Sequence, residues 1–125
     1  MDLAVRMATE AGVTDLHPVL TERSVPKGDR IERWERIAES AAEQCCRGDI
    51  PTIHELLPYE SALDQLPRGL DLRIAFPGAT PLAPPTGPSG VLIGPEGGFT
   101  EREVQSALTR GIVGMSLGRF VLRTE

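Results

Sequence analysis

The feature that most restricts what this chain can fold into is Val91-Leu92-Ile93-Gly94-Pro95-Glu96-Gly97-Gly98-Phe99-Thr100. Val91 to Ile93 is a short apolar run of the kind carried by a strand buried on both faces. Three glycines and a proline break the run, and Thr100-Glu101-Arg102-Glu103 then has the spacing of a helix capping box. In that motif the threonine hydroxyl accepts from the N–H three residues on, and the glutamate accepts from the threonine N–H, a cap worth ~1 kcal/mol. A strand, a glycine turn and a capped helix bare main-chain groups at the carboxyl edge of a sheet, where open α/β folds hold small ligands. A Cβ at those glycines would keep a ligand away from the backbone. No Gly-Lys-Ser/Thr follows and G-x-G-x-x-G is absent, so this is neither a Walker loop nor a dinucleotide fingerprint. It reads as a ligand loop or as a tight strand–helix connection that holds nothing.

Helix and strand alternate through the rest of the chain. Residues 2–11 predict a helix with the stripe Leu3, Ala4, Met7, Ala8 and Ala11, ended by Gly12. Asp15 to Thr21 contains a short strand, and Glu22 to Gly28 is a polar loop. Asp29-x-x-Glu32 is a second capping box, opening a long helix with the stripe Ile31, Trp34, Ala38, Ala41, Ala42 and Cys45 that stops at Gly48. Ile50 to Leu57 is a strand broken by Pro51 or an extended segment, Tyr59 to Leu66 a short helix, and Leu70 to Phe76 a strand. Residues 77–90 hold five prolines and three glycines and form a surface loop. Glu101 to Arg110 is a helix ended by Gly111, and Ile112 to Leu117 a last strand before Gly118. The order predicts one α/β domain over residues 1–125, with a mostly parallel sheet covered by helices on both faces. The glycine turns at 94–98 and at 118 follow consecutive strands, and they share one crevice if those strands lie near each other.

The formal net charge of −5 argues against a whole-surface electrostatic grip on nucleic acid. A local patch is the alternative: Arg23, Lys27, Arg30, Arg33 and Arg36 outnumber Asp29, Glu32 and Glu35 by two. Arg23 is the foremost candidate there for an RNA phosphate, and an ordinary solvated surface is the other reading. No apolar run approaches the ~18 residues of a membrane span and no leader pattern opens the chain, so a cytoplasmic protein is expected. Adjacent Cys45 and Cys46 read as reduced helix residues. His17 and His54 stand isolated and read as structural, and no metal-ligand cluster or nucleophile–base pair is expected. Trp34 reads as core or dimer contact.

Four segments in order then carry a resemblance: Glu22-Arg23-Ser24; Ala42-Glu43-Gln44 with Arg47 and Ile50-Pro51; Leu92-Ile93-Gly94-Pro95-Glu96-Gly97-Gly98; and Leu117-Gly118 with Leu122-Arg123-Thr124-Glu125. Their order and spacing resemble the catalytic domain of the ribosomal RNA small-subunit methyltransferase E family, within the SPOUT methyltransferases. The resemblance spans nearly the whole chain. It implies a parallel α/β sheet with a C-terminal trefoil knot, S-adenosylmethionine as cofactor, methylation of a uridine N3 in small-subunit ribosomal RNA, and a homodimer. The cofactor loops it implies are Ile93, Gly94 and Gly98, then Leu117, Gly118 and Leu122, with Phe76, Pro77 and Gly78 as a third. Relatives carry an N-terminal RNA-binding β-barrel, and they continue past the Arg-Thr-Glu with a closing helix. Neither is found in this sequence, which is expected to be a truncated piece whose knot is incomplete.

On that resemblance the chemistry can be assigned. Methylating uracil N3 removes a proton and builds negative charge on N3, O2 and O4. Arg123, five residues after Gly118, is the candidate to stabilise that charge or to hold an RNA phosphate. Glu125 or Glu96 is the candidate base, or the partner that holds the arginine. Two further readings stand beside the enzyme: an inactive RNA- or ribosome-associated module, and a dimerising remnant.

Overall fold

The computed structural model describes residues 1–24, 30–67 and 69–118. They divide into two compact units, one of residues 1–20 and 30–57, the other of 21–24, 58–67 and 69–118.

In the first unit, helix α1 (Asp2–Glu10) packs on helix α2 (Ile31–Gln44). Val5, Trp34 and Ala38 are buried at their contact, with Leu16, Ile31, Ile37 and Ile53 around them. Of the α2 stripe, Trp34, Ala38, Ala41 and Ala42 are buried as the spacing predicts, Ile31 is half-buried and Cys45 is exposed. The α1 stripe is not buried as predicted. Val5 and Thr9 are buried, whereas Leu3 and Met7 are exposed. Thr9 can sit in the core because its hydroxyl donates to the Val5 carbonyl at 2.8 Å, which satisfies the polar atom within its own helix.

The predicted strand at 15–21 is two short strands, β1 (Asp15–Leu16) and β2 (Val19–Leu20). Pro18 separates them because it has no N–H for a ladder. β1 pairs in parallel with β3 (Thr52–Ile53), Asp15 opposite Thr52 and Leu16 opposite Ile53. Leu57, which opens β4 (Leu57–Pro58), donates its N–H to the Pro18 carbonyl at 3.3 Å. Helix α2 ends at Gln44, so Cys45 and Cys46 follow the helix instead of lying in it, free and exposed. Cys46 takes the left-handed conformation there, with φ +56°. Asp29, proposed as a cap, lies outside the described residues; Arg30 is the N-cap and makes no side-chain cap bond.

The second unit is built on a three-stranded sheet in the order β6-β5-β7: β5 (Asp71–Ala75), β6 (Ser89–Ile93) and β7 (Val113–Met115). Both pairings are parallel. Helices α3 (Tyr59–Gln65) and α4 (Glu101–Thr109) complete the unit, and the connection between β5 and β6 is an exposed loop, as its prolines predict. Ile74, in the central strand, and Ala107 of α4 are wholly buried.

The expectation that residues 91–93 are buried on both faces is corrected. Register places Val91 and Val113 on either side of Arg73, and Ile93 beside Ala75, on one face of the sheet. On that face Val91 is 50% exposed and Ile93 56%. An edge strand with one uncovered face buries alternate residues only, and the apolar run conceals this because Leu92 between them points the other way. The architecture is therefore α/β with parallel sheets, with one sheet face open among the described residues.

Candidate functional site

Parallel strands end at the same edge, and the register shows how closely. Ala75 pairs with both Ile93 and Met115, so the last residues of all three strands form one row. Three loops leave that row together: Phe76-Pro77-Gly78 after β5, Gly94 to Phe99 after β6, and Ser116-Leu117-Gly118 after β7. Those are the described members of the three loops that the sequence picks out. The β5 and β7 loops are tied directly. Phe76 N–H donates to the Met115 carbonyl at 3.2 Å, and Ser116 N–H donates to the Thr80 carbonyl at 3.2 Å. The Phe76 ring lies against Gly114, where an added Cβ would come within 2.8 Å of the ring. Phe76 thus holds two strand ends together.

What the loops offer is backbone beside open space. Gly78, Gly98 and Gly118 have positive φ, and a Cβ on any of them would meet nothing within 4 Å among the described residues. Gly94 is the contrary case: it is buried, and a Cβ there would come within 3.1 Å of the Phe99 nitrogen. One glycine thus lets the bend close on itself, and three leave backbone bare of side chains along the edge, among the described residues. Within the bend, Gly98 N–H donates to the Pro95 carbonyl at 2.7 Å, and Glu96 stands exposed at its tip.

The bend is held from two directions. The capping box forms in full: Glu103 N–H donates to the Thr100 hydroxyl at 3.3 Å, and Thr100 N–H donates to Glu103 Oε2 at 2.8 Å. The Thr100 hydroxyl also reaches Oε2 at 3.1 Å. The other carboxylate oxygen, Oε1, accepts from Glu22 N–H at 2.8 Å, across 81 residues of sequence. Next to it, Arg23 Nη1 donates to the Gly97 carbonyl at 2.7 Å, and the Arg23 stem lies 3.3 Å from where a Gly97 Cβ would be. Segment 21–24 therefore clasps both the glycine bend and the helix that follows it. Arg23, a candidate for RNA phosphate by sequence, bonds to the loop itself.

Tyr59 was not singled out by sequence. Its hydroxyl donates to the Glu103 carbonyl at 2.8 Å, and its ring meets Phe99 at a centroid distance of 5.7 Å. Burial, with the Glu103 and Glu60 charges nearby, pushes its phenol up to about 12. No pattern marks a lone tyrosine as a support, because its partner is a main-chain carbonyl 44 residues away. Leu122, Arg123 and Glu125 lie outside the described residues.

A family model described as an RNA methyltransferase domain matches residues 1–125, the whole chain. The chain belongs to this RNA methyltransferase domain family. It is 35% identical to the ribosomal RNA small subunit methyltransferase E of Synechocystis, over 95% of this chain and 43% of that protein. It is 33% identical to the Aquifex aeolicus protein of the same name, over 100% of this chain and 57% of the other. Among solved structures, the Neisseria gonorrhoeae ribosomal RNA small subunit methyltransferase E bound to S-adenosyl methionine superposes with a TM-score of 0.91. That match has 36% identity and covers 99% of this chain and 54% of that one. This RNA methyltransferase domain thus spans about half the length of the relatives it matches. Within it, the glycine edge is the described region where backbone, open space and a supporting clasp coincide.

Proposed function

We propose that this chain is the catalytic domain of an S-adenosylmethionine-dependent methyltransferase acting on N3 of a uridine in small-subunit ribosomal RNA. The observation that carries the reading is the row of three loops at one sheet edge, with Gly78, Gly98 and Gly118 facing open space among the described residues. Relatives bearing the small-subunit methyltransferase name, and a solved neighbour holding S-adenosyl methionine, support it. The trefoil knot, the homodimer and a cytoplasmic setting belong to the same reading on the strength of the family. No helix among the described residues is long and apolar enough to cross a membrane.

The loop edge suits this cofactor in kind, because three side-chain-free positions let a flat, bent ligand approach main-chain amides and carbonyls. Ile93, Gly94, Gly98, Leu117, Gly118 and Leu122 would hold it, with Phe76 and Gly78 on the third loop. When bound, S-adenosylmethionine supplies a methyl group already activated by its sulfonium. What remains for the protein is to make uracil N3 nucleophilic and to aim it. Loss of the N3 proton spreads negative charge over N3, O2 and O4, which the Arg123 guanidinium stabilises in a dry pocket. Glu96 or Glu125 takes the proton or holds that arginine. Arg23, fixed on the Gly97 carbonyl, has further N–H groups for an RNA phosphate at the rim.

Calorimetry of S-adenosylmethionine with the folded chain tests this first. Absence of binding at millimolar cofactor would remove the enzyme and leave the binding module or the dimerising remnant. Mapping the methylated nucleoside in small-subunit RNA by mass spectrometry then tests the N3 assignment. Arg123→Ala is expected to abolish turnover with near-normal cofactor affinity, and unchanged turnover would take Arg123 out of the chemistry.

A further inference from the structure

His17 and His54 look isolated in the sequence, and the fold brings them together. β1 and β3 are parallel with Leu16 opposite Ile53, so the next residues, His17 and His54, face each other. His54 N–H continues the ladder by donating to the Leu16 carbonyl at 2.9 Å. Their rings stack with centroids 3.8 Å apart and planes 9° from parallel. Asp15, two residues before His17, lies on the same side of the strand, and its Oδ1 is 3.0 Å from His54 Nε2. One ligand atom from each of the three lies within 4.8 Å of the other two. Pro18 restricts His17 to extended backbone, so the pair rests on constrained main chain.

We infer that Asp15, His17 and His54 form a binding site for a divalent transition-metal ion of the zinc class. Two imidazoles and a carboxylate are a donor set for zinc, cobalt, nickel or copper, and not for magnesium or calcium. Bonds of about 2.0–2.2 Å at tetrahedral angles put donor atoms roughly 3.3–3.5 Å apart. The Asp15–His54 pair is already near that spacing, and the widest gap closes through side-chain rotation alone, since all three groups are at least partly solvent-accessible. Parallel stacked rings aim their in-plane lone pairs along lines that do not meet. Loading therefore turns the rings out of their stack, and the ion replaces the His54–Asp15 hydrogen bond. Three protein donors leave a fourth position for water.

This site is independent of the methyltransferase reading. Its test is zinc titration by calorimetry of the full 125-residue chain carrying Cys45→Ser and Cys46→Ser, because exposed adjacent thiols would compete for the same ion. One zinc per chain is expected, with no response to magnesium. His17→Gln and His54→Gln are each expected to weaken binding by more than about tenfold, since losing a ligand costs at least what losing its outer support does. Circular dichroism checks that the variants fold. If they do not, imidazole NMR signals of the serine variant under zinc decide instead: His17 and His54 are the chain's two imidazoles, so shifts of both support the site and unmoved signals overturn it. No binding to the serine variant, or undiminished binding in folded histidine variants, would also overturn it.

Discussion

Replacing Glu103 tests how the glycine bend is held. The residue is 6% exposed, and its carboxylate accepts from Glu22 N–H, Thr100 N–H and the Thr100 hydroxyl. Removing it in Glu103→Ala leaves the residue-103 N–H on the Thr100 hydroxyl but takes the charged acceptor from the part-buried Thr100 N–H, worth about 1.5 kcal/mol. It also leaves the Glu22 N–H without its charged acceptor, worth roughly 1.5–3 kcal/mol and at the low end here because the bond is only part-buried. The sum is about 3 kcal/mol, a large share of the 5–15 kcal/mol that holds an ordinary domain together. Glu103→Gln separates the two contributions. Its one carbonyl oxygen can serve Thr100, but its amide then presents N–H to Glu22 N–H, so about half of the loss is expected. Urea unfolding followed by far-UV circular dichroism, which reads α4 itself, is the assay. With a slope near 2 kcal/mol/M the alanine variant moves the midpoint by about 1.5 M, and the glutamine variant by roughly half that, at unchanged slope. A loss below ~1 kcal/mol for alanine, or a glutamine variant no better than alanine, would refute the claim that one carboxylate joins segment 21–24 to α4.

Three more outcomes follow from particular atoms. Cys46→Gly relieves a left-handed side-chain-bearing residue at φ +56°, and is expected to stabilise by about 0.5–1 kcal/mol in the same assay after the unfolded-chain entropy of glycine is subtracted. Tyr59 is the chain's one tyrosine, so phenolate absorbance reports it directly: a midpoint about 12 is expected in the folded protein against 10.0 unfolded. Because the folded state favours the neutral phenol, that contribution to stability is complete below pH ~10 and lost as pH rises toward 12; a folded midpoint at 10 would show that the ring is wet. Gly98→Val and Gly111→Val place the same side chain at positive φ, +67° and +84°, each in open space. Both should destabilise, and Gly98→Val alone should abolish S-adenosylmethionine binding; equal affinities in the pair would detach the bend from the cofactor.

The sequence by itself determined whatever depends on neighbours along the chain. The Thr100–Glu103 box, the buried stripe of α2, the proline-rich connection and the α/β order need only i,i+3 spacing, helical periodicity and proline's missing N–H. The glycine bends were legible for the same reason, and four spaced motifs carried the family. Tertiary structure decided what depends on which strands pair and in what register. It set Ala75 between Ile93 and Met115 and so brought three loops to one edge, and it spent Arg23 on Gly97 and Glu103 on Glu22 across long stretches of sequence. It also exposed Val91 and Ile93, exchanged Leu3 and Met7 for Val5 and Thr9 in the core, and set His17 against His54. Periodicity says that a face exists but not what covers it, and a residue's type says what it can bond but not which distant backbone will be there to bond it.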